Sequence, residues 1–259
     1  MTEKAKHYLV ECLLIKNENK YLLEHLTKNK AAGIEHFYIY DNLSDECVWD
    51  YLENNAPELL NCCTIHLIPT SENLQYDCYQ KFLNKYADEC TWVAFIDTDE
   101  MFEGNLLELC RHSENTFNAL IFNQIIHGAN NQIYESDKPL FERFGDDVLT
   151  TFKMVKNVVQ SKYILKQFAH CSLLRQNKLQ SLTMDRNSSV KLHHFYFRSF
   201  EEYVKKMKRG SCNPNGRPFL IGFFQYNTNI SKNSCQSVLK KYNVDLKLRM
   251  MYGNRESLL

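Results

Sequence analysis

The sequence predicts an α/β fold in which helices cover both faces of a central, mostly parallel sheet. Short apolar runs alternate with segments of helical periodicity from residue 8 to residue 96, which is typical of a doubly wound sheet. Three of these runs end in polar clusters, at residues 16–18, 41–42 and 97–99. Because crossovers are right-handed, the carboxyl ends of the strands share one edge, where such sheets bind ligands. The three clusters therefore predict one site at that edge.

The first half of the chain gives clear strands and helices. Nearly continuous apolar runs suit strands that are covered on both faces, and they are predicted at residues 8–15, 36–40, 63–68 and 92–96. Apolar residues at helical spacing predict the helices between them, at residues 21–32, 48–54 and 73–87. Gly33 ends the first helix, Pro57 breaks the second, and Pro69 closes the third strand.

The second half is less regular. The pattern predicts a short helix from residue 106 and strands at residues 119–126 and 190–197, with 152–159 and 161–165 forming a strand pair. Ser199 and Glu202 have capping-box spacing, so a helix is expected to start there. The tail from residue 234 is expected to begin as a helix and then to fray.

The fourth strand runs directly into Asp97, Asp99 and Glu100. Residues two apart in extended backbone point to the same side, so both aspartates converge on one object. Three acids repel one another unless a positive group lies among them, and hard divalent cations prefer carboxylate oxygens. A polar turn closing the strand, with Asp99 capping the next helix, is the alternative for an isolated Asp-x-Asp. The position after a buried strand favours the metal site.

The composition limits the class of protein. Among 259 residues, 44% are hydrophobic, which is ample for a core, and the formal net charge is zero, so no bulk field attracts nucleic acid. None of the ten cysteines forms a Cys-x-x-Cys pair, which argues against structural zinc. The N-terminus lacks an apolar signal-peptide region, and the apolar runs are too short to span a bilayer. We expect a cytoplasmic protein with free thiols, including the vicinal Cys62 and Cys63.

Several motifs occur in the order found in one known family. They comprise residues 12–18, Gly33 with residues 37–42, residues 92–100, and the stretch from His194 to Gly210. Together they resemble glycosyltransferase family 92 and its bacterial relatives in the family 2-like group, over about residues 8–210. The resemblance implies a GT-A fold, in which a metal-bound nucleotide-diphosphate sugar donates its sugar.

The resemblance also implies residue roles. Asp41 would contact the base, Asp97 the ribose or the metal, and Asp99 the metal. His194 is similar to a later histidine that reaches the metal or the diphosphate, although an isolated histidine is more often structural. Its neighbour His193 must face the other side of the strand. Mn²⁺ or Mg²⁺ suits this donor set, and one imidazole favours Mn²⁺.

Further nucleotide contacts are expected from Asn17, Glu18, Gln75 and Arg209. Asn17 and Glu18 have a helix cap as their alternative role. Arg209 ends a basic stretch that also suits a solvated helix C-terminus, and within the family it would lean on the diphosphate.

Inverting transfer needs a base near the acceptor hydroxyl. Glu142 is the candidate, and Asp137, Asp146 and Asp147 are its rivals. A structural ion pair with Arg143 or its neighbours is the alternative role for Glu142.

The predicted catalytic domain covers residues 1–210, with a nucleotide-binding half at about 1–104 and an acceptor half at about 105–210, and residues 211–259 form a partly helical extension. The predicted function is transfer of a hexose from a UDP-sugar to an oligosaccharide or glycolipid, in bacterial lipopolysaccharide or surface polysaccharide synthesis. Peripheral contact with the inner face of the membrane is compatible with this function. The alternatives are an inactive nucleotide- or sugar-binding module and a glycoside hydrolase. Two acids on one strand side disfavour the hydrolase, which needs carboxyls flanking a sugar.

Overall fold

The computed structural model describes residues 5–71, 73–151, 153–175, 181–210 and 220–244. The chain forms two compact units, one of Met1–Ile125 with Phe152–His194 and one of Ile126–Thr151 with Phe195–Leu259. The domain boundary expected at residue 210 stays a prediction. Much of the predicted C-terminal extension, residues 211–219 and 245–259, lies outside the described residues.

The strands and helices are numbered here in chain order. The strands are β1 His7–Ile15, β2 His36–Asp41, β3 Cys63–Leu67, β4 Cys90–Phe95, β5 Glu100–Glu103, β6 Ala119–Asn123, β7 Ile125–His127, β8 Val148–Leu149, β9 Val155–Gln160, β10 Ile164–Gln167, β11 Ser172–Leu174, β12 Ser181–Met184 and β13 Lys191–His194. The helices are α1 Asn19–Ala31, α2 Val48–Asn55, α3 Pro57–Leu60, α4 Leu74–Tyr86, α5 Leu106–Ser113, α6 Leu140–Phe144, α7 Phe200–Arg209, α8 Leu220–Tyr226 and α9 Gln236–Lys241.

A seven-stranded sheet forms the centre of the first unit, in the order β12-β6-β9-β4-β1-β2-β3. Only β9 runs antiparallel to its neighbours, and the other strands of this sheet share one direction. Asp41 lies opposite Ile15, and β4 runs beside β1 in the same direction. The prediction that β1, β2, β3 and β4 end on one common edge is therefore confirmed.

Helices cover both faces of this sheet. Leu13 of β1 belongs to the buried cluster on one face, together with Leu26 of α1 and residues of α2 and α5. On the other face, the ring of Tyr38 packs against Phe82 of α4 with centroids 5.1 Å apart. The alternation of side chains along each strand thus buries both faces, as the continuous apolar runs predicted. The predicted fold class, α/β with a mostly parallel sheet and helices on both faces, is confirmed.

Three expectations differ from the structure. The run at 119–126 divides at Gln124 into β6 and β7. The predicted pairing of 152–159 with 161–165 is wrong, because β9 instead lies antiparallel between β4 and β6, and β10 pairs with β11. The late strand ends at His194 and not at residue 197. Partner choice between strands depends on contacts distant in sequence, which local periodicity does not encode.

The second unit contains the predicted capping box. The Ser199 hydroxyl accepts from the Glu202 backbone N–H at 3.3 Å, and the Glu202 carboxylate accepts from the Ser199 N–H at 3.0 Å. This reciprocal pair starts α7 at the position expected from the sequence. Within the described ranges, no helix is long and apolar enough to cross a bilayer.

Cys62 and Cys63 present two thiols to one carbonyl. Both donate to the oxygen of Leu59, at sulfur–oxygen distances of 3.0 and 3.2 Å. A hydrogen bond from Cys63 lowers the pKa of the Cys62 thiol to about 6, against the effect of burial and with help from Lys30. Cys62 is therefore the more acidic of these two thiols.

We expect Cys62 to react first with iodoacetamide at pH 7, because the thiolate is the nucleophile. Its rate should rise with pH to a half-maximum near the pKa of about 6, whereas ordinary thiols titrate higher. Mass spectrometry of brief labelling at several pH values measures this. Cys63→Ser should move the midpoint upward, and Cys110→Ser, at a buried thiol, serves as the control. Rapid labelling by iodoacetamide that persists in Cys62→Ser would show that another cysteine is the reactive one.

Candidate functional site

The three predicted acids lie in a tight loop between β4 and β5, residues 97–100, called here the acid loop. Two hydrogen bonds close it: the Glu100 N–H donates to the Asp97 carbonyl at 2.8 Å, and the Asp97 N–H donates to the Glu100 carboxylate at 2.8 Å. Asp99 and Glu100 are buried, whereas the Asp97 side chain is 36% exposed. A strand and not a helix follows the loop, so Asp99 caps no helix. Asp97 is the acid that solvent reaches.

A lysine supplies the positive charge that the acid loop requires. The Lys156 ammonium lies 2.8 Å from Asp97 Oδ2 and 3.3 Å from Glu100 Oε2, and its side chain is only 1% exposed. Burial opposes its charge, but the two carboxylates outweigh burial and raise the pKa of Lys156 above its ordinary value. The sequence predicted a cation here without showing that the chain provides one. The available signal was a lysine among the valines of β9.

Glu100 is the most constrained acid of the loop. It accepts hydrogen bonds from the Asp97 N–H and from Gln124 Nε2 at 2.6 Å, besides its contact with Lys156. Burial, with the nearby charges of Asp97 and Asp99, raises the pKa of Glu100, while Lys156 opposes this shift and favours the carboxylate. These contacts fix the loop from inside, so Glu100 has a structural role.

His194 reaches the acid loop from β13, where it lies opposite Glu100 in the antiparallel pairing with β5. Its Nε2 is 3.6 Å from Asp99 Oδ1, and its Nδ1 is 3.1 Å from Gln124 Oε1. His193 turns to the other side and contacts Glu103 at 2.8 Å. As predicted, only one of the two histidines enters the site.

The hydrogen bonds of Gln124 determine the tautomer of neutral His194. Gln124 Nε2 donates to Glu100, so its Oε1 is the acceptor that faces His194 Nδ1. Nδ1 must then carry the proton, and the lone pair of Nε2 points towards the Asp99 carboxylate. At this separation of 3.6 Å, a cation or a proton between Nε2 and Asp99 Oδ1 would interact favourably with both groups. The pair is therefore suited to a positive ligand.

Gln75 also belongs to this site. It lies in the first turn of α4, and its Nε2 donates to Asp97 Oδ1 at 3.2 Å. Because Lys156 holds Oδ2, both oxygens of Asp97 have a partner. The structure thus brings together Gln75, Asp97, Asp99 and His194, all of which the sequence had singled out.

Asp41 and Asn17 shape a neighbouring loop at the ends of β1 and β2. Asp41 is fully buried, and its carboxylate accepts from the Ser44 N–H at 2.9 Å and from the Val48 N–H, the first of α2, at 3.2 Å. Asn17 exchanges two hydrogen bonds with Asp45, at 3.0 and 2.7 Å. Their structural roles are thus defined, and their contacts with a nucleotide stay predictions.

The remaining predicted residues lie elsewhere. Glu18 is buried at the start of α1 and makes no side-chain cap there. Glu142 lies on α6, where its 53% exposed carboxylate pairs with Lys138 at 2.6 Å and not with Arg143. Arg209 ends α7. Glu142 and Arg209 belong to the second unit, and their roles stay predictions.

A buried polar network supports β5 and was missed in the sequence. Glu11 contacts His25 Nε2 at 2.5 Å and accepts from Asn29 at 3.0 Å, and all three side chains are fully buried. The Asn29 side-chain oxygen Oδ1 accepts from the Phe102 N–H at 2.8 Å. Burial lowers the pKa of His25, but Glu11 outweighs burial and the net shift is upward. Glu11 inside the apolar run of β1 was the available signal.

The fit to a divalent cation depends on two of the three predicted ligands. Among the described residues, no three His, Cys, Asp or Glu side chains are arranged to hold a metal ion. Asp99 and His194 lie side by side, whereas Asp97 is paired with Lys156. One carboxylate and one imidazole suit Mn²⁺ or Mg²⁺ when phosphate oxygens and water complete the shell. The residues present therefore fit the cation as a partial site.

Relatives of known family confirm the resemblance drawn from the motifs. A glycosyltransferase family 92 protein of Arabidopsis thaliana is 30% identical over 98 residues, which is 38% of this chain and 17% of that protein. One of Ricinus communis is 25% identical over 156 residues, 58% of this chain and 25% of that protein. The chain thus spans a quarter or less of the length of these relatives. No family model matches the chain.

Two solved structures resemble this chain in part. TarS of S. aureus, residues 1–349, has a TM-score of 0.46 and 11% identity, covering 91% of this chain and 70% of that chain. A putative glucose-1-phosphate thymidylyltransferase from Bacillus anthracis, in complex with a sucrose, has a TM-score of 0.34 and 14% identity, covering 60% of this chain and 72% of that chain.

Proposed function

We propose that the chain is a glycosyltransferase that moves a sugar from a nucleotide-diphosphate sugar, in the first instance a UDP-sugar, to a hydroxyl of an oligosaccharide or glycolipid. One observation carries the proposal: at the carboxyl edge of a parallel sheet, the solvent-reached Asp97 lies two residues before Asp99, and His194 of β13 lies 3.6 Å from Asp99. This edge is where such sheets bind ligands. The similarity to family 92 glycosyltransferases supports the same activity.

In the proposed reaction, different residues would bind the nucleotide ribose and the divalent cation. Asp97, held by Lys156 and Gln75, offers a fixed acceptor to a hydroxyl of the nucleotide ribose. Asp99 and His194 would hold Mn²⁺ or Mg²⁺, which when bound acts as a Lewis acid and neutralises the leaving diphosphate. Gln124 keeps the Nε2 lone pair of His194 directed to that position. Glu100 fixes the loop and takes no part in transfer.

Glu142 is the proposed general base of an inverting reaction. Its contact with Lys138 is an exposed ion pair, which contributes under about 1 kcal/mol and can open at little cost. As proposed from the sequence, the reaction serves bacterial lipopolysaccharide or surface polysaccharide synthesis on the cytoplasmic side of the membrane.

A panel of nucleotide sugars tests the activity. Release of nucleoside diphosphate is measured by chromatography with Mn²⁺ and with EDTA, for the wild type and for Asp99→Asn. Asp50→Asn, at an exposed aspartate of α2, is the matched control. Metal-dependent release from one donor class, lost only in Asp99→Asn, is the expected result. Nucleotide binding without release would indicate an inactive module, and glycan hydrolysis without nucleotide would indicate a glycosidase.

A further inference from the structure

We propose that Lys156 is a built-in cation of the acid loop, which holds Asp97 in place before any ligand binds and keeps a divalent cation away from that carboxylate. The proposal deepens the proposed function and rests on it only for the consequence for nucleotide binding. Its effect on the loop itself is independent of sugar transfer.

The fold buries the Lys156 ammonium beside two carboxylates. It lies on β9, the antiparallel strand between β4 and β6, opposite Phe122. Its side chain is 1% exposed, so the ammonium has lost its water. A buried charge costs several kcal/mol unless a partner of opposite sign is present. Asp97 at 2.8 Å and Glu100 at 3.3 Å are those partners.

Asp97 is held between two donors on separate elements. Lys156 Nζ of β9 binds Oδ2, and Gln75 Nε2 of α4 binds Oδ1. A carboxylate fixed in this way needs no reorganisation when a ligand hydroxyl arrives. The exposed part of its side chain faces solvent, so Asp97 is available as a positioned acceptor.

The same contact lowers the value of Asp97 as a metal ligand. A divalent cation bound to Asp97 would share the carboxylate with an ammonium at 2.8 Å, and the two cations would repel each other. Lys156 therefore occupies the position beside Asp97 and Glu100 that a second cation would take, and this part of the acid loop is called here the lysine-bound half.

Removing the lysine should convert the lysine-bound half into a metal site. In Lys156→Met the Asp97 and Glu100 carboxylates remain on either side of the vacated ammonium position, with no cation between them. In EDTA, the thermal unfolding midpoint should fall by about 5–15 °C, because breaking a buried pair is strongly destabilising. Mn²⁺ should then raise the midpoint of the variant by more than that of the wild type, since it replaces the ammonium.

Thermal unfolding by calorimetry without nucleotide measures this, with Lys156→Arg as the conservative variant and Lys153→Met, an exposed lysine nearby, as the matched control. Lys156→Arg should keep most of the stability, and Lys153→Met should behave as wild type. If Lys156→Met does not fold in EDTA, folding on addition of Mn²⁺ supports the proposal equally. Failure to fold in either condition would overturn it. So would a wild-type midpoint for Lys156→Met, or an Mn²⁺ shift equal in both proteins.

Lys156→Met combined with Asp97→Asn locates the effect. The double variant lacks the carboxylate that would bind the replacement cation, so the extra Mn²⁺ stabilisation should disappear. If the extra stabilisation persists, Mn²⁺ acts elsewhere and the proposal is wrong.

Binding of UDP, measured by titration calorimetry, connects the hold of Lys156 on Asp97 to the proposed function. Lys156→Met should weaken UDP binding in EDTA by at least about tenfold, the effect of losing one positioned charge-assisted hydrogen bond, and Mn²⁺ should recover it. Wild type that binds no UDP under any condition would contradict the proposed function while leaving the thermal result valid. Equal UDP affinities of the wild type and Lys156→Met would contradict only the proposal that Lys156 positions Asp97 for the nucleotide.

Discussion

Replacement of Asp99 by Asn is expected to lower sugar transfer by about 10²–10⁴-fold while leaving the fold intact. The substitution nearly preserves shape but removes the charged half of the Asp99–His194 pair. In the proposed mechanism, loss of the cation would leave the departing diphosphate without its main electrostatic stabilisation. Removal of a single preorganised group of this kind typically costs about 10²–10³ in kcat. Steady-state transfer with saturating donor and Mn²⁺ measures the effect.

Nucleotide binding distinguishes the two aspartates. Asp99→Asn should bind the nucleotide with an affinity that no longer depends on Mn²⁺, because the proposed carboxylate ligand of the cation is lost. Asp97→Asn should weaken nucleotide binding with and without the metal, since Asp97 is the positioned acceptor. Near wild-type transfer by Asp99→Asn, with EDTA having no effect on either protein, would show that the metal mechanism is wrong and that the loop is only a strand-end turn.

The parallel half of the sheet could be predicted because its signals are local. Apolar runs define β1, β2, β3 and β4, and Gly33 adopts a φ of 105° directly after the first helix. Right-handed crossovers then place Asp41 and Asp97 at one edge without knowledge of any distant contact. The acids themselves were visible because they interrupt apolar strands at their ends.

The second half of the site could not be predicted because it depends on distant pairings. Lys156 reaches the acid loop only because β9 inserts between β4 and β6, and Gln124 does so only because the run at 119–126 breaks at that residue. Neither event leaves a periodic signal. What the sequence shows is the physical anomaly: a lysine in one apolar run and an amide in another, each of which needs a buried partner.

A buried ion pair in the second unit gives the second large expected effect, on stability. Both terminal nitrogens of Arg143 donate hydrogen bonds to the Glu202 carboxylate, at nitrogen–oxygen distances of 2.8 and 2.6 Å. Both side chains are almost fully buried. Glu202 also accepts from the Ser199 N–H and hydroxyl, at 3.0 and 2.5 Å. One carboxylate therefore neutralises a buried guanidinium and caps the start of α7.

Glu202→Ala is expected to lower the free energy of unfolding by about 3–5 kcal/mol, since it leaves the Arg143 charge buried without a carboxylate. Urea unfolding measures the loss, and hydrogen exchange of the α7 amides locates it. Glu142→Ala, which breaks the exposed pair with Lys138, is the matched control and should cost under about 1 kcal/mol. Because the cost comes from the unpaired charge, the double variant Arg143→Met, Glu202→Ala should recover part of it. Equal, small losses for Glu202→Ala and Glu142→Ala would contradict the burial of this pair.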